Sequence, residues 1–572
     1  MLNRVIYQRD PSTIKLANDG VANVNDERTD QALQVLRYEL ETFVCDGQYE
    51  KGLNHILDIY LQNINQAQQP SVWISGFYGS GKSHLAKMLR ALWLDTVFPD
   101  GATARGIANL PQATRDHLRE LSIQAKRHGG LHAASGTLGS GSSNVRLALL
   151  GIVFKSLGLP EQYQKAKFVM WLKKEGIYDQ VKAEVESRGE DFSFEIDNFY
   201  VSDVLHEALM KAKPNVFASP EVCTPTLNNL YPFTGDISID ELVSTMREAL
   251  SINGKIPLTV IILDEMQQYI GSSSDRSLDV QETIEMCSKN IGGKLLIVAT
   301  GQSAITGTAM LKKLEGRFTI PVQLSDNDVD TVIRKVFLAK TPASLPALDK
   351  LYKDNIGELS RHLSSTAIAP GKEDDQYYHQ DYPILPVRRR FWEEALRVLD
   401  QTGTDSQVRN QLSNTHKAIK TNLDQELGHV VPADFLYFES AVKLQQARLL
   451  PSKIYNQTMT WIESANEDER LMARACGLIF LINKINAHNP ELRIKAITET
   501  IADLMLEDIT TDSSQLRGKL PKLLDNCYLL MKVKDEYRIQ TEESVAWNNE
   551  FLAQKSSLFS SPQVIDTDRE ER

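Results

Sequence analysis

The feature that most constrains this chain is the octapeptide GFYGSGKS at residues 76–83. It follows the β-rich run SVWIS and precedes the apolar helical sequence HLAKMLRAL. Glycines at its first and sixth positions let backbone N–H groups approach a phosphate closely, and the lysine and serine after them suit phosphate and Mg²⁺ contacts. A strand, this loop and a helix in succession predict an α/β P-loop fold with a parallel sheet.

The octapeptide and the residue after it supply the predicted ATP contacts. Lys82 is expected to face the β- and γ-phosphates and to act in catalysis, and Ser83 is expected to ligate Mg²⁺. A chance glycine turn is the alternative, which the flanking strand and helix disfavour. The remaining predicted ATP contacts are Gly76, Phe77, Tyr78, Gly79, Ser80, Gly81 and His84.

The run LTVIILDE at residues 258–265 predicts a buried strand that ends in an acidic pair. Asp264 would complete the Mg²⁺ shell, and Glu265 would polarise the attacking water as the catalytic base. The alternative is a buried strand with an acidic end and no catalytic role. ATP is favoured over GTP because no Asn-Lys-x-Asp segment is present: LINKIN at residues 481–486 has Asn486 where Asp is required.

Two more candidate catalytic residues lie beside predicted strands. LLIVATGQS predicts a strand that ends at Thr300, whose hydroxyl would bridge the water and the γ-phosphate; Gln302, beyond the strand end, is less well placed. Arg317 precedes the strand sequence FTIPVQL, where oligomeric ATPases of this architecture place an arginine that reaches the neighbour's γ-phosphate. A simple turn and a solvated arginine at a helix end are the respective alternatives.

Other basic residues are candidates for phosphate or DNA contacts. Three adjacent arginines, Arg388–Arg390, suit phosphate or the DNA backbone, although a solvated helix start near Glu393 and Glu394 is the more frequent explanation of such a run. Arg409, in SQVRNQL, is expected to contact the nucleotide from a helical lid.

Periodicity and composition divide the chain into five predicted parts. These are a helical leader at 1–70, an ATPase core at 71–340 with a helical insertion at about 95–250, a helical lid at 341–465, a winged-helix-like domain at 466–550 and a polar tail at 551–572. Within the insertion, the glycine- and serine-rich segment GGLHAASGTLGSGSSN at residues 129–144 is typical of a flexible loop.

The winged-helix prediction depends on three helical stretches, at 471–485, 496–506 and 514–526, followed by strands at 529–533 and 537–540. The third helix and the hairpin carry a local basic excess, which favours DNA contact. A protein-contact role is the alternative, because Pro521 is expected to interrupt the third helix. The basic residues are Arg517, Lys519, Lys522, Lys532, Lys534 and Arg538.

Whole-chain composition limits the partners. A net charge of −12 repels DNA, so a DNA contact must be a local patch or a property of an assembly. The five cysteines form no C-x-x-C pair, and His128 and His132 are separated by two glycines, so no zinc site is predicted. No apolar run approaches the ~20 residues of a spanning helix, and the start has no secretory pattern, so a cytoplasmic protein without membrane contact is expected.

Five segments together resemble the BrxC family of P-loop ATPases from bacterial BREX phage-defence systems. They are GFYGSGKSH, LTVIILDEMQQY, VATGQ, KLEGRF and YPILPVRRRFW, and the resemblance begins at FVCDGQYEKGLNHIL before the glycine loop. Members of this family are expected to be longer than 572 residues, so the chain is expected to correspond to an amino-terminal portion or a short member. The glutamate beside Asp264 also places the core in the additional-strand division, like AAA+ ATPases.

This resemblance implies an oligomeric, ATP-hydrolysing motor or switch that acts on DNA with other BREX-type defence proteins. The alternative is a nucleotide-gated DNA-binding scaffold of the replication-initiator type, in which ATP turnover is incidental.

Overall fold

The computed structural model describes residues 1–13, 24, 29–76, 80–138, 144–324, 327–399, 407–540, 547, 550–551 and 553–556, without the side chains of 327–329 and 407–410. The chain forms two compact units. One is Gly20–Thr331, and the other combines Met1–Asp19 with Val332–Arg572. The first part of the predicted leader therefore groups with the carboxyl-terminal half of the chain.

The first unit contains a five-stranded parallel sheet in the order β2–β3–β4–β1–β5. β4 lies between β1 and β3, so one additional strand separates the strand before the glycine loop from the strand that ends in the acidic pair. This order confirms the predicted α/β class. The strands are β1 Val72–Ser75, β2 Leu131–Thr137, β3 Leu258–Asp264, β4 Leu295–Gly301 and β5 Ile320–Gln323.

Successive side chains of a strand point to opposite faces of the sheet, and here the side chains on both faces are apolar. Helices therefore cover both faces. In β3, Ile261 and Leu263 pack into one apolar cluster, and Val260 and Ile262 pack into another. The helices are α1 Asp30–Glu41, α2 Gly47–Asn63, α3 Lys82–Leu94, α4 Ala104–Ile107, α5 Gln112–Arg127, α6 Val145–Ser156, α7 Tyr163–Lys174, α8 Tyr178–Glu186, α9 Phe192–Asp197, α10 Asp203–Ala212, α11 Pro220–Leu230, α12 Ile239–Leu250, α13 Met266–Ile270, α14 Ser274–Ile291, α15 Ala309–Lys312 and α16 Asn327–Val332.

The prediction of a flexible loop at residues 129–144 is wrong for its first half. Residues 131–137 form β2, an edge strand in parallel register with β3. Its sequence, LHAASGT, has small residues and no alternating pattern, so its propensity for a strand is weak. Tertiary pairing with the strongly apolar β3 overrides that propensity. Residues 139–143 lie outside the described part of the chain.

The second unit is mainly helical and surrounds α23, whose residues from Ala473 to Ile485 are almost all buried. Its amino-terminal residues pack within it: the Leu427 N–H donates to the Met1 carbonyl oxygen at 2.7 Å. The helices are α17 Leu345–Arg361, α18 Asp374–Asp381, α19 Pro386–Leu399, α20 Gln407–Asn422, α21 Phe435–Gln446, α22 Ser452–Ile462, α23 Glu467–His488, α24 Thr498–Met505 and α25 Ser514–Asp525.

A β-hairpin of β6 Leu530–Val533 and β7 Glu536–Ile539 follows the last three helices. We refer to α23, α24, α25 and this hairpin as the carboxyl-terminal module. The helix α25 continues through Pro521, which therefore does not interrupt it as expected. Among the helices that the structure describes, none is both long enough and apolar enough to cross a membrane.

Candidate functional site

The glycine loop lies at the carboxyl end of β1, as its sequence context predicts. Gly81 has φ = 83°, a left-handed conformation that favours glycine, and it caps the start of α3. Gly76, Ser80, Lys82 and Ser83 are described; Phe77, Tyr78 and Gly79, which were also predicted to contact ATP, lie outside the described residues. The 13-residue helix α3 thus begins at the loop, with its positive amino terminus beside the glycines.

Lys82 is half-buried and donates a hydrogen bond to the Gly76 carbonyl oxygen at 2.9 Å. Burial lowers the pKa of Lys82 to about 8, while the nearby Asp264 and Glu265 carboxylates act in the opposite direction. The ammonium group is therefore withdrawn from water next to an acidic pair, where an incoming phosphate would compensate its desolvation.

The Asp264 carboxylate connects the ends of β3 and β4 with the start of α3. Its Oδ1 lies 3.2 Å from the Ser83 hydroxyl oxygen and also accepts a hydrogen bond from the Thr300 hydroxyl. The Thr300 hydroxyl oxygen in turn accepts the Glu265 N–H at 3.0 Å. Asp264 and Thr300 are 6% and 2% exposed, so this bridge is internal. The exposed Gln302 lies beyond it.

The pair Ser83 and Asp264 fits a magnesium ion. Two adjacent ligands of an octahedral Mg²⁺, each about 2.1 Å from the metal, lie roughly 3 Å apart. The separation of 3.2 Å between the Ser83 and Asp264 oxygens matches that spacing. Both are hard oxygen donors, the ligand type that Mg²⁺ prefers.

Glu265 occupies an unusual backbone conformation, with φ = 57° in the left-handed region. For a residue with a long side chain this conformation is strained, and such strain concentrates at functional sites. Burial, and secondarily the adjacent Asp264 charge, raises the pKa of Glu265. A carboxylate with a raised pKa is a stronger proton acceptor near neutral pH.

His84 contributes packing at the start of α3. Its ring contacts Phe43 edge-on, with centroids 5.8 Å apart, and burial lowers its pKa. The Phe43 ring also packs edge-on against Tyr49 of α2. Phe43 and α2, which precede the glycine loop in the chain, therefore pack beside the start of α3, a role that no sequence motif marks.

Arg317 lies at the opposite end of the sheet from the glycine loop. Its carbonyl oxygen accepts the Ser71 N–H, and five residues of extended chain separate Ser71 from Gly76, which amounts to roughly 16 Å. Its guanidinium is paired with Glu285 and lines an open cavity of about 440 Å³. Arg317 therefore does not share the site of Lys82 within one chain.

The structure corrects the predicted role of the arginine triplet, Arg388–Arg390. Arg388 is 1% exposed and donates to the carbonyl oxygens of Val431, Asp503 and Leu506 at 2.6 to 3.1 Å. The expectation that Arg388–Arg390 bind DNA is wrong for Arg388, because its side chain is enclosed in the apolar core of the second unit.

The other two arginines of the triplet are engaged in ion pairs. Arg389 faces the buried Asp381 at 3.6 Å, and Arg390 is paired with Asp374 at 2.7 Å. They stabilise the start of α19 and do not form a phosphate-binding patch. Arg409 lies in α20 of the second unit, and its side chain is outside the described residues.

No protein-family model matches the chain. Among solved structures, the Aeropyrum pernix Orc1 protein in complex with DNA is similar at 10% sequence identity and a TM-score of 0.27, over 91% of this chain and 94% of that chain. The strand order and the glycine-loop sequence define the fold class: an α/β P-loop fold with one additional strand between the strand before the loop and the strand that ends in the acidic pair, which is the strand order of AAA+ proteins.

Proposed function

We propose that this chain binds ATP with Mg²⁺ and hydrolyses it at the carboxyl ends of β1, β3 and β4. The observation that carries the proposal is the bridge at Asp264, whose carboxylate contacts both the Ser83 and the Thr300 hydroxyl groups. Residues of a glycine loop, an acidic pair and a third strand end thereby meet at one point, which is the arrangement that phosphoryl transfer requires.

Each residue has a distinct part in this reaction. Lys82 and the loop N–H groups would bind the β- and γ-phosphates, and Ser83 and Asp264 would hold Mg²⁺, which supplies neutralisation of phosphate charge when bound. Glu265 would accept a proton from the water whose oxygen attacks the γ-phosphorus as the bond to the bridging oxygen breaks. Thr300 would hold the Glu265 N–H and the Asp264 carboxylate in fixed positions through its hydroxyl group.

The direct test is the binding of ATP to a Lys82→Ala variant. Loss of the ammonium group removes the point charge for the β- and γ-phosphates, so ATP binding should fall below detection in a fluorescence or calorimetric titration. Wild-type affinity in this variant would contradict the nucleotide site.

We further propose that the active form is a homo-oligomer in which Arg317 acts on the neighbour's nucleotide. The roughly 16 Å between Arg317 and the glycine loop of the same chain supports action in trans. A guanidinium supplied in this way stabilises charge on the transferring phosphoryl group and contributes ~10³–10⁵-fold in rate. The open cavity beside Arg317 leaves room for an approaching surface.

Mixing two inactive variants tests this arrangement. Arg317→Ala should bind ATP with near-native affinity and lose turnover, and mixing it with Lys82→Ala should restore part of the activity. A mixed interface combines one intact Arg317 with one intact phosphate loop. Failure to recover activity in demonstrably mixed assemblies would leave Arg317 as the ion-pair partner of Glu285 alone.

The carboxyl-terminal module is proposed as a winged-helix domain that contacts DNA. Its support is the succession of three helices and a hairpin, with Lys522, Lys534 and Arg538 exposed on α25 and the hairpin. Exposed cations on a third helix and its hairpin suit the phosphate backbone. A protein-contact role is the competing interpretation.

The proposed cellular role is ATP-dependent work in the cytoplasm with other BREX-type defence proteins. Its support is the motif resemblance to the BrxC family alone. The replication-initiator type of scaffold, with incidental turnover, is the alternative. DNA-stimulated ATP hydrolysis, measured as phosphate release with and without duplex DNA, would favour a motor or switch; unchanged turnover with nucleotide-dependent DNA affinity would favour the scaffold.

A further inference from the structure

Tyr49 contacts the phosphate loop from α2, a helix that precedes the loop in the chain. Its hydroxyl donates a hydrogen bond to the Ser80 carbonyl oxygen, with 2.9 Å between the two oxygens. Tyr49 is 8% exposed and Ser80 is 3% exposed, so water has little access to this bond. The sequence motif that marks the loop begins 27 residues later and does not include Tyr49.

The bond controls the orientation of one peptide group in the loop. In a planar trans peptide, the carbonyl oxygen of one residue and the N–H of the next point in opposite directions. When Tyr49 holds the Ser80 carbonyl on the side of α2, the Gly81 N–H is turned to the other side of that peptide. In a phosphate-binding loop, N–H groups must face the anion and carbonyl oxygens must face away from it.

The position of the Tyr49 hydroxyl is itself fixed by packing. Its ring packs edge-on against Phe43, with centroids 6.2 Å apart, and Phe43 contacts His84 in the same way. A Cβ atom on Gly81 would lie 1.7 Å from the Tyr49 hydroxyl oxygen. Gly81 is therefore required both by its positive φ and by the close approach of Tyr49.

We propose that Tyr49 is a positioning residue for phosphate binding, which holds the Ser80–Gly81 peptide with its N–H toward the phosphates before nucleotide arrives. The inference rests on the proposed ATP site. Because the peptide is already oriented in the free protein, binding does not have to pay for ordering it. Both ATP and ADP should benefit, since the same loop faces the phosphates of either nucleotide.

The test compares two tyrosine-to-phenylalanine variants on the same helix. Tyr49→Phe removes the hydroxyl and keeps the ring that packs against Phe43. The matched control is Tyr60→Phe: Tyr60 is also buried in α2, and its hydroxyl donates to the Lys294 carbonyl oxygen at 3.0 Å, away from the loop. Both changes leave one backbone carbonyl without its hydroxyl donor, so their general effects on stability are comparable.

The measured quantities are the dissociation constants of ATP and ADP, KM, kcat and the unfolding temperature. We expect Tyr49→Phe to weaken the binding of both nucleotides and to raise KM by about 5- to 50-fold, with kcat at saturating ATP within about threefold of wild type. Tyr60→Phe should lower the unfolding temperature similarly but leave nucleotide affinity unchanged.

Three results would overturn the proposal in distinguishable ways. In the first, Tyr49→Phe binds ATP and ADP each as tightly as wild type does, while Lys82→Ala still loses ATP binding. This result would show that Tyr49 does not position the loop and would leave the proposed ATP site intact. Equal losses of affinity in Tyr49→Phe and Tyr60→Phe would assign the effect to helix stability. A wild-type chain that binds no nucleotide would overturn this proposal together with the proposed function.

Discussion

Two basic side chains that are withdrawn from water, Lys82 in the first unit and Arg388 in the second, have opposite surroundings. Arg388 is enclosed in the core and donates to three backbone carbonyl oxygens, and burial lowers its pKa to about 10. Lys82 is half-buried beside the acidic pair of β3 at the carboxyl edge of the sheet, and burial lowers its pKa to about 8.

The contrast shows how a structural cation differs from one placed for a ligand. The guanidinium of Arg388 ties together segments that are far apart in the chain, and its enclosed donors cannot reach a phosphate. The ammonium group of Lys82 bears a desolvation cost that the free protein only partly offsets, which a bound anion would relieve. Substitutions at the two places should therefore have opposite consequences for stability and activity.

The largest expected effect compares one acidic residue from each unit. Glu265→Gln should reduce phosphate release by ~10²–10⁴-fold, because an amide cannot accept the proton of water, while the unfolding temperature is retained. Asp381→Asn is the matched change in the second unit, where Asp381 is fully buried and accepts hydrogen bonds from Nε and Nη2 of Arg334 at 2.6 and 2.9 Å.

Asp381→Asn should cost about 3 kcal/mol of stability and keep turnover in the folded protein. Phosphate release at saturating ATP and denaturant unfolding measure the two effects. Near-native turnover by Glu265→Gln would mean that the acidic pair is only a strand end.

Replacing each cation by methionine should change stability in opposite directions. Arg388→Met leaves three carbonyl oxygens without their donor and should cost about 3–5 kcal/mol, with ATP affinity retained. Lys82→Met should abolish ATP binding yet stabilise the nucleotide-free protein at pH 7, by at most about 3 kcal/mol, because its charged form is disfavoured by burial. Urea unfolding without nucleotide measures both changes in the free energy of unfolding. A change of the same sign in the two variants would contradict the comparison.

The pH dependence of stability should identify Lys82 specifically. Its pKa is about 8 in the folded protein and 10.5 ordinarily, so between these values the unfolded chain binds more protons than the folded one. The free energy of unfolding should therefore rise with pH in this window, by up to about 1.4 kcal/mol per pH unit. Subtracting the profile of Lys82→Met from that of wild type isolates this contribution, and a flat difference from pH 8 to 10.5 would contradict it.

The smallest expected effect extends the comparison to the surface of the carboxyl-terminal module. Lys519 already contacts Glu467 and Asp468, at 3.3 and 2.6 Å, whereas Lys522 and Lys534 are exposed. Each lysine that neutralises a DNA phosphate contributes about 0.9 to the slope of log affinity against log salt concentration.

Changing Lys522 and Lys534 together to Gln should reduce that slope by about 1 to 2, and Lys519→Gln should change it by less than half as much. Fluorescence anisotropy with duplex DNA at several salt concentrations measures the slope. Identical slopes in all three proteins would favour the protein-contact role of the module.

The strands with the strongest local signals were predictable within a residue or two. The apolar run of β3 and the sequence LLIVATG of β4 indicate buried strands without any knowledge of their neighbours. β2 was not predictable, because LHAASGT becomes a strand only through its pairing with β3. The three helices and hairpin of the carboxyl-terminal module were likewise found from periodicity, with boundaries shifted by a few residues.

The sequence by itself determined the chemistry available at the loop, because Gly76, Gly81, Lys82 and Ser83 all lie in one continuous segment of a turn and a helix start. Only the tertiary structure decided which charged residues meet there. The hydrogen bond from Ser83 to Asp264 joins residues 181 positions apart, and Arg388 is enclosed by carbonyl groups more than 40 positions away. Local periodicity reports which face of an element is buried, but it holds no information on which distant element covers that face.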